Sequence, residues 1–174
     1  GSQPPRPPGR PKGAAPPGGR LAQRASGGPP GIVAELAEAA MPADERVWVP
    51  QAPGVWFRPL LLNTVSGGWC NLLRVRKSGI LSRHRHPMLV VGYVIKGRWR
   101  YLEHDWVAET GSFVYEPPGE IHTLTVPDDC TEMITFFTVH GSLMYVDPQG
   151  GSTGYDDVFT RIDAQRADWL AGRL

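Results

Sequence analysis

The sequence predicts an all-β fold, an antiparallel sandwich or closed barrel flanked by a short N-terminal helix and a C-terminal helix. Two observations carry this. From residue 47 to about residue 147, short apolar or alternating runs follow one another, punctuated by Gly, Pro, Asn and Asp. Many short strands at such spacing are the pattern of sandwiches and barrels. No helical period intervenes to supply the crossovers of a parallel sheet. A closed barrel also removes sheet edges, and its interior can hold one small ligand.

Residues 1–31 are mainly Pro, Gly, Ala and Arg and hold nine of the 18 prolines. Such a stretch buries too little surface to offset its ordering entropy, so a disordered leader is expected. Gly1-Ser2 reads as the scar of a cleaved tag, and Pro4-Pro-Arg-Pro-Pro8 as a weak SH3-type pattern. Residues 32–46 read as a short helix and linker. Apolar Ile32, Val33 and Leu36 share a helical face, and Met41-Pro42 ends it, because proline excludes helical geometry from the residue before it. The barrel is expected over 47–150, with strands at 47–49, 55–62, 68–76, 80–86, 89–96, 98–104, 106–107, 112–116, 121–126 and 131–146, the last broken near His140-Gly141. Residues 151–174 read as a loop and a C-terminal helix. Asp156 and Asp157 are its N-cap candidates, and Val158, Ile162, Ala167, Trp169 and Leu170 form its stripe.

With 174 residues, 41% hydrophobic and 20% charged, the chain has the composition of one ordinary soluble domain. Its net charge of +1 hides an asymmetry. Five of the 18 basic residues lie in the leader, leaving 13 against 17 acidic ones, a net of −4. A mildly acidic folded part argues against nucleic acid as the partner. Cys70 and Cys130 have no metal-like spacing and are expected as two free thiols in a reducing compartment. No apolar run approaches the ~18 residues of a membrane span, and no secretory signal is evident. The expected location is the cytoplasm.

Four of the five histidines lie between Gly79 and Val126, and three of them, His84, His86 and His122, stand in motif-like runs. In Gly79-Ile-Leu-Ser-Arg-His84-Arg-His86-Pro87, alternation points His84 and His86 to one face. His122 follows a Pro-Gly turn in Gly111-Ser-Phe-Val-Tyr-Glu-Pro117-Pro-Gly119-Glu-Ile-His122. An isolated His is usually a satisfied polar residue, but two imidazoles on one strand face and a third from another strand make a metal site with open positions. Such a nitrogen set accepts Fe, Zn, Ni, Mn or Cu. Alternation turns His104 away from the interior. Trp99 and Tyr101 either line an aromatic pocket or fill the core.

These residues resemble the cupin superfamily, whose fold is a double-stranded β-helix or jelly-roll barrel. Gly111, Pro117, Gly119 and His122 fit its second motif at every spacing, with Val126 in place of the final Asn. In its first motif His84, His86 and Gly97 fit, but Val90 stands where the ligating Glu is expected. Hairpin geometry offers a replacement. If Val90–Ile95 turns at Lys96-Gly97 and returns as Arg98–Glu103, a two-residue loop sets Glu103 opposite Val90, with Cβ atoms roughly 5 Å apart. Glu103 would then be a fourth ligand, or support the metal without touching it; the alternative is an ordinary surface Glu.

The combination of Val55-Trp-Phe-Arg-Pro-Leu-Leu-Leu-Asn63, Leu72-Leu-Arg-Val-Arg-Lys-Ser-Gly79, Ser82-Arg-His-Arg-His-Pro87, Tyr101-Leu-Glu-His-Asp-Trp106 and Tyr145-Val-Asp-Pro148 is similar to the 2,4'-dihydroxyacetophenone dioxygenase family. The resemblance implies a non-haem iron enzyme that cleaves an aromatic hydroxyketone with O2 to 4-hydroxybenzoate and formate. It implies His84, His86 and His122 as Fe(II) ligands, Glu103 as a fourth or catalytic carboxylate, and Trp99 and Tyr101 as contacts to the substrate ring. It also implies a homo-oligomer. Three alternatives stay open: a diketone-cleaving cupin dioxygenase, a zinc-binding sensor cupin of the anti-sigma type, and a cupin that binds a sugar or another small molecule without redox chemistry. The leader reads as disordered rather than as a helical partner domain, which weighs against the sensor.

Overall fold

The computed structural model describes Ala37 and residues 39–172. The expected leader lies outside these residues, as does most of the expected N-terminal helix. Of that helix Ala37, Ala39 and Ala40 are described, and none is helical. A single 3₁₀ turn, Glu45–Val47, precedes the barrel, with the Asp44 carboxylate accepting from the Arg46 amide.

Twelve strands follow: β1 (Val49–Ala52), β2 (Val55–Leu62), β3 (Gly68–Val75), β4 (Gly79–Arg85), β5 (Val90–Lys96), β6 (Arg98–Tyr101), β7 (Ala108–Glu109), β8 (Phe113–Glu116), β9 (Ile121–Val126), β10 (Met133–His140), β11 (Leu143–Val146) and β12 (Ser152–Asp156). One helix, α1 (Val158–Leu170), closes the described chain. The strands form two antiparallel six-stranded sheets, ordered β1-β2-β3-β10-β5-β8 and β12-β11-β4-β9-β6-β7. The expected all-β barrel is therefore present. β12 was not expected: its Ser-Thr-Gly-Tyr-Asp reads as loop, yet it pairs with β11.

The hairpin that carried the Glu103 expectation does not form. β5 pairs with β10 and β8 in one sheet, whereas β6 pairs with β9 and β7 in the other. A type I′ hairpin loop needs positive φ at both central residues, and II′ needs glycine first. Here only Gly97 has positive φ, at 73°. Gly97 is instead the point where the chain crosses between sheets. A Cβ there would collide with the Glu132 carbonyl oxygen and lie 2.9 Å from Cys130 Sγ.

Alternation places Val90, Gly92 and Val94 of β5, Trp99 and Tyr101 of β6, and Thr135, Phe137 and Val139 of β10 among the buried or inward positions. They join Val55, Trp69, Leu124 and Val126 in one core between the sheets. Gly92 makes room for its cross-strand neighbour: a Cβ would lie 2.9 Å from the Phe137 ring. α1 begins with a capping box, in which Asp157 accepts from the Thr160 amide and the Thr160 hydroxyl accepts from the Asp157 amide. Its buried residues are Val158, Arg161 and Asp168. Trp169 and Leu170, expected on the buried stripe, are exposed. Cys70 and Cys130 are free thiols. Among the described residues no helix is long and apolar enough to cross a membrane.

Candidate metal centre

β4 sends His84 inward, and His86 continues that face just beyond the strand's end. β9 runs antiparallel to β4 with His122 directly opposite His84, and directly opposed residues share a face. The fourth group comes from the facing sheet. Glu116, the last residue of β8, lies opposite Val90 of β5. The carboxylate missing at Val90 is therefore supplied by its cross-strand neighbour. All four side chains are buried, and one donor atom from each lies within 4.8 Å of the others.

The hydrogen bonding shows which atoms face inward. His86 Nδ1 is 2.5 Å from the Met88 carbonyl oxygen. A carbonyl only accepts, so Nδ1 carries the proton and Nε2 presents a lone pair. That lone pair meets Glu116 Oε2 at 3.0 Å and His122 Nε2 at 3.1 Å. His122 Nε2 is also 3.7 Å from Glu116 Oε2. Electron-pair donors this close repel unless a cation, a shared proton or a metal ion, lies among them. Metal–nitrogen bonds of about 2.0–2.1 Å set adjacent donors of one ion about 3–3.4 Å apart, so the donor set fits a metal. His84 Nδ1 is 3.1 Å from Ser82 Oγ, which steadies its ring.

Tyr101 braces the cluster twice. Its ring stacks on His122 at 4.1 Å and 8°, and its hydroxyl donates to Glu116 Oε1 at 2.6 Å. Burial drives the His84 pKa down to about 4, aided by His122. Burial also lowers that of His122, against the attraction of Glu116. Both imidazoles are thus held in the neutral form that binds metal. Burial alone would raise the Glu116 pKa, but the surrounding imidazoles, His86 foremost, and the bond from the Tyr101 hydroxyl outweigh it and hold the carboxyl below its usual range. The centre thus combines an ionised carboxylate with neutral imidazoles.

The expected trio His84, His86 and His122 converges. Glu103 does not join it. It lies in the turn after β6, exposed, with Oε2 accepting from the Thr123 amide at 2.7 Å and Oε1 from the Thr123 hydroxyl at 2.8 Å. Its carboxylate is spent clasping β9 from outside, so the expectation of Glu103 as ligand or catalytic group is corrected to Glu116. Trp99 is also corrected: it is fully buried in the core, where Nε1 donates to Thr135 Oγ1 at 3.0 Å, and does not line the cavity. Tyr101 does line it. His104, expected outside, sits half-buried beside Glu120 and stacked on Trp106. The signal for Glu116 was its inward alternation with Val114, both buried on β8.

A cavity of ≈ 100 Å³ lies inside the barrel against this centre. Val55, Trp69, Leu73, Leu124, Phe137 and Val139 are among its apolar lining. His84, Glu116 and Tyr101 line it from the metal side, and Asn71, Tyr145 and Arg161 also reach it.

The sequence model of the family described as the ChrR cupin-like domain matches residues 36–144. An RmlC-like cupin protein from Ralstonia eutropha JMP134 is similar at 33% identity, over 71% of this chain and 82% of that one, with a TM-score of 0.68. An acetylacetone dioxygenase from Acinetobacter johnsonii shares the fold at 17% identity, over 79% and 97% of the two chains, with a TM-score of 0.66. Among curated proteins no sequence matches. Barrel, histidine spacing and family match agree: this chain belongs to the cupin superfamily, in the family of ChrR cupin-like domains.

Proposed function

We propose that this protein is a non-haem iron dioxygenase. Its reaction would cleave the bond between the carbonyl and hydroxymethyl carbons of 2,4'-dihydroxyacetophenone, or a related hydroxyketone, with O2, giving 4-hydroxybenzoate and formate. The observation that carries the proposal is the gathering of four buried candidate metal donors, two of which, His84 and Glu116, line a largely apolar cavity. His84, His86 and His122 would hold Fe(II), with Glu116 as a fourth donor. Iron supplies oxygen activation and acidifies a coordinated hydroxyl. The chain's own contribution is positional. Tyr101 fixes both Glu116 and the His122 ring, and the apolar wall excludes water and packs an aromatic ring. Tyr101 also lies where it can touch that ring. The partners are then the aromatic hydroxyketone and O2, handled in the cytoplasm by a homo-oligomer.

The family match favours a second reading, a zinc-binding sensor domain. Three imidazoles and one carboxylate can fill a four-coordinate zinc site with no position left for substrate. One experiment separates the two. The protein is purified anaerobically, its metal measured, and O2 uptake followed on 2,4'-dihydroxyacetophenone after iron loading. Uptake with 4-hydroxybenzoate and formate formed in equal amounts is expected. Tightly held zinc, with no uptake after iron loading, favours the sensor.

A further inference from the structure

α1 docks on the barrel through a charged residue as well as through apolar Val158 and Ile162. Arg161 is only 5% exposed. Its guanidinium lies 4.4 Å over the Phe57 ring and 4.7 Å over Trp69. One terminal nitrogen donates to Gln51 Oε1 at 2.9 Å, and the other is 3.5 Å from Asp156 Oδ2, which also accepts from the Tyr145 hydroxyl. Nε is buried with no hydrogen-bond partner. A guanidinium carries five N–H groups in a rigid fork, and leaving one buried and unused costs free energy.

A second orphan belongs to a residue of the same cavity. Asn71 stands on the inward face of β3 between Trp69 and Leu73 and is 5% exposed, with Oδ1 buried and unpartnered. The rings under Arg161 bracket this position: Trp69 is two residues before Asn71 on the same strand face, and Phe57 pairs with Leu73, two residues after it. Arg161 and Asn71 both line the cavity that holds His84 and Glu116. Residues carrying one unpaired donor and one unpaired acceptor therefore line a space that is otherwise mostly apolar.

We infer that Arg161 and Asn71 form a subsite for a ligand hydroxyl group, of the phenol type, in the cavity that His84 and Glu116 also line. A hydroxyl is the group that answers both orphans at once, accepting from Arg161 Nε–H and donating to Asn71 Oδ1. A carboxylate satisfies the arginine but sets a second acceptor against Asn71. An unsubstituted ring satisfies neither. The inference rests on the proposed reaction only for its choice of probe, since the 4'-hydroxyl of 2,4'-dihydroxyacetophenone is such a group.

The test is calorimetric and needs no turnover. Iron-loaded full chain is titrated anaerobically with 2,4'-dihydroxyacetophenone, with 2-hydroxyacetophenone, and with the analogue bearing a carboxylate in place of the phenol. Metal-free chain is titrated in parallel with p-cresol and toluene. Two net hydrogen bonds predict about a tenfold or greater preference for the phenol in each series. Asn71→Leu, which keeps the volume and leaves every α1 contact in place, should reduce that preference to about threefold or less. Binding of 2-hydroxyacetophenone should stay unchanged. Arg161→Gln should do the same, with its melting temperature checked for loss of α1 docking. Equal binding of phenol and unsubstituted ring by the wild type, or a preference that survives Asn71→Leu, overturns the inference. A preference for the carboxylate overturns the hydroxyl assignment. If the ketones fail to bind but p-cresol discrimination persists and depends on Asn71, the proposed substrate fails and the subsite stands.

Discussion

Two carboxylates close to the same strand show how this barrel separates support from chemistry. Glu103 accepts two short hydrogen bonds and Glu116 one, and each has its pKa held below the usual carboxylate range despite burial that acts to raise it. Glu103 accepts both bonds from Thr123, one from its amide and one from its hydroxyl, on the exposed side of β9. Glu116 faces His86 and accepts from the Tyr101 hydroxyl, fully inside. Both Glu103 oxygens are bonded to Thr123, and Glu103 is not among the groups whose donor atoms gather around the histidines. Glu116 keeps one oxygen turned toward two imidazole nitrogens, a setting that calls for a proton or a metal ion among them. A carboxylate's role here follows from whether its partners leave a lone pair uncommitted, not from its distance along the chain to a histidine.

The largest effect expected from this contrast is on metal binding. Glu116→Gln removes the negative charge and one donor, and should weaken metal affinity by at least about 100-fold, beyond the ~10–100-fold typical when a group merely supporting a ligand is changed. Glu103→Gln should leave affinity within about twofold on the same argument. Competition against a chromogenic chelator measures both. Equal losses in the two variants would erase the distinction.

The same contrast marks what was legible in the sequence. His84 and His86 were, because period two needs only one strand, and His122 because its Pro-x-Gly turn fixes its place. The barrel was legible from strand punctuation. Glu116 was legible only as an inward position alternating with Val114; its place in the site comes through the pairing of β8 with β5, which no local pattern encodes. Glu103 was misplaced because Lys96-Gly97 looks like a hairpin turn, when a single positive φ makes it a crossing between sheets. Arg161 was missed for a different reason. A search for apolar stripes passes over a helix that docks by a guanidinium lying on aromatic rings.

Acid should separate the two regions next. His84 has a folded pKa of about 4 against an ordinary 6.5. Between these values the unfolded chain binds more protons than the folded one, so stability falls as pH drops through that window. For this buried residue the full contribution is on the order of 3 kcal/mol. Melting temperatures of the metal-free protein should fall from pH 7 to pH 4, and His84→Asn should flatten that decline. The carboxylates add their own loss only lower, as pH falls below the usual Glu range, because their folded values are depressed. A pH profile unchanged by His84→Asn would remove burial of the histidine as its cause.

Tyr101→Phe tests the support of the inner carboxylate alone. The variant keeps the ring stacked on His122 and deletes only the donor to Glu116 Oε1. Affinity for metal should drop about tenfold, the low end for a group that orients a ligand, while folding is nearly unaffected. A loss as large as that of Glu116→Gln would mean that Tyr101 itself belongs among the donors.

The smallest effect belongs to the outer clasp. Thr123→Val removes the hydroxyl bond to Glu103 while leaving the amide bond and the volume of the side chain in place. One partly exposed bond to a charged acceptor is worth about 1 kcal/mol, which in a chain of this size lowers the melting temperature by about 2–4 °C. Glu103→Gln should cost a similar amount, and the double variant should cost less than the sum, because both changes remove the same bond. Thr123 adjoins His122 in β9, so a shift of the strand would register at the metal. If the clasp serves only the fold, both variants lose stability while chelator competition and the pH profile of the metal-bound protein stay where they were. A change in either readout would tie Glu103 to the centre through β9, and the division between the two carboxylates would be one of degree.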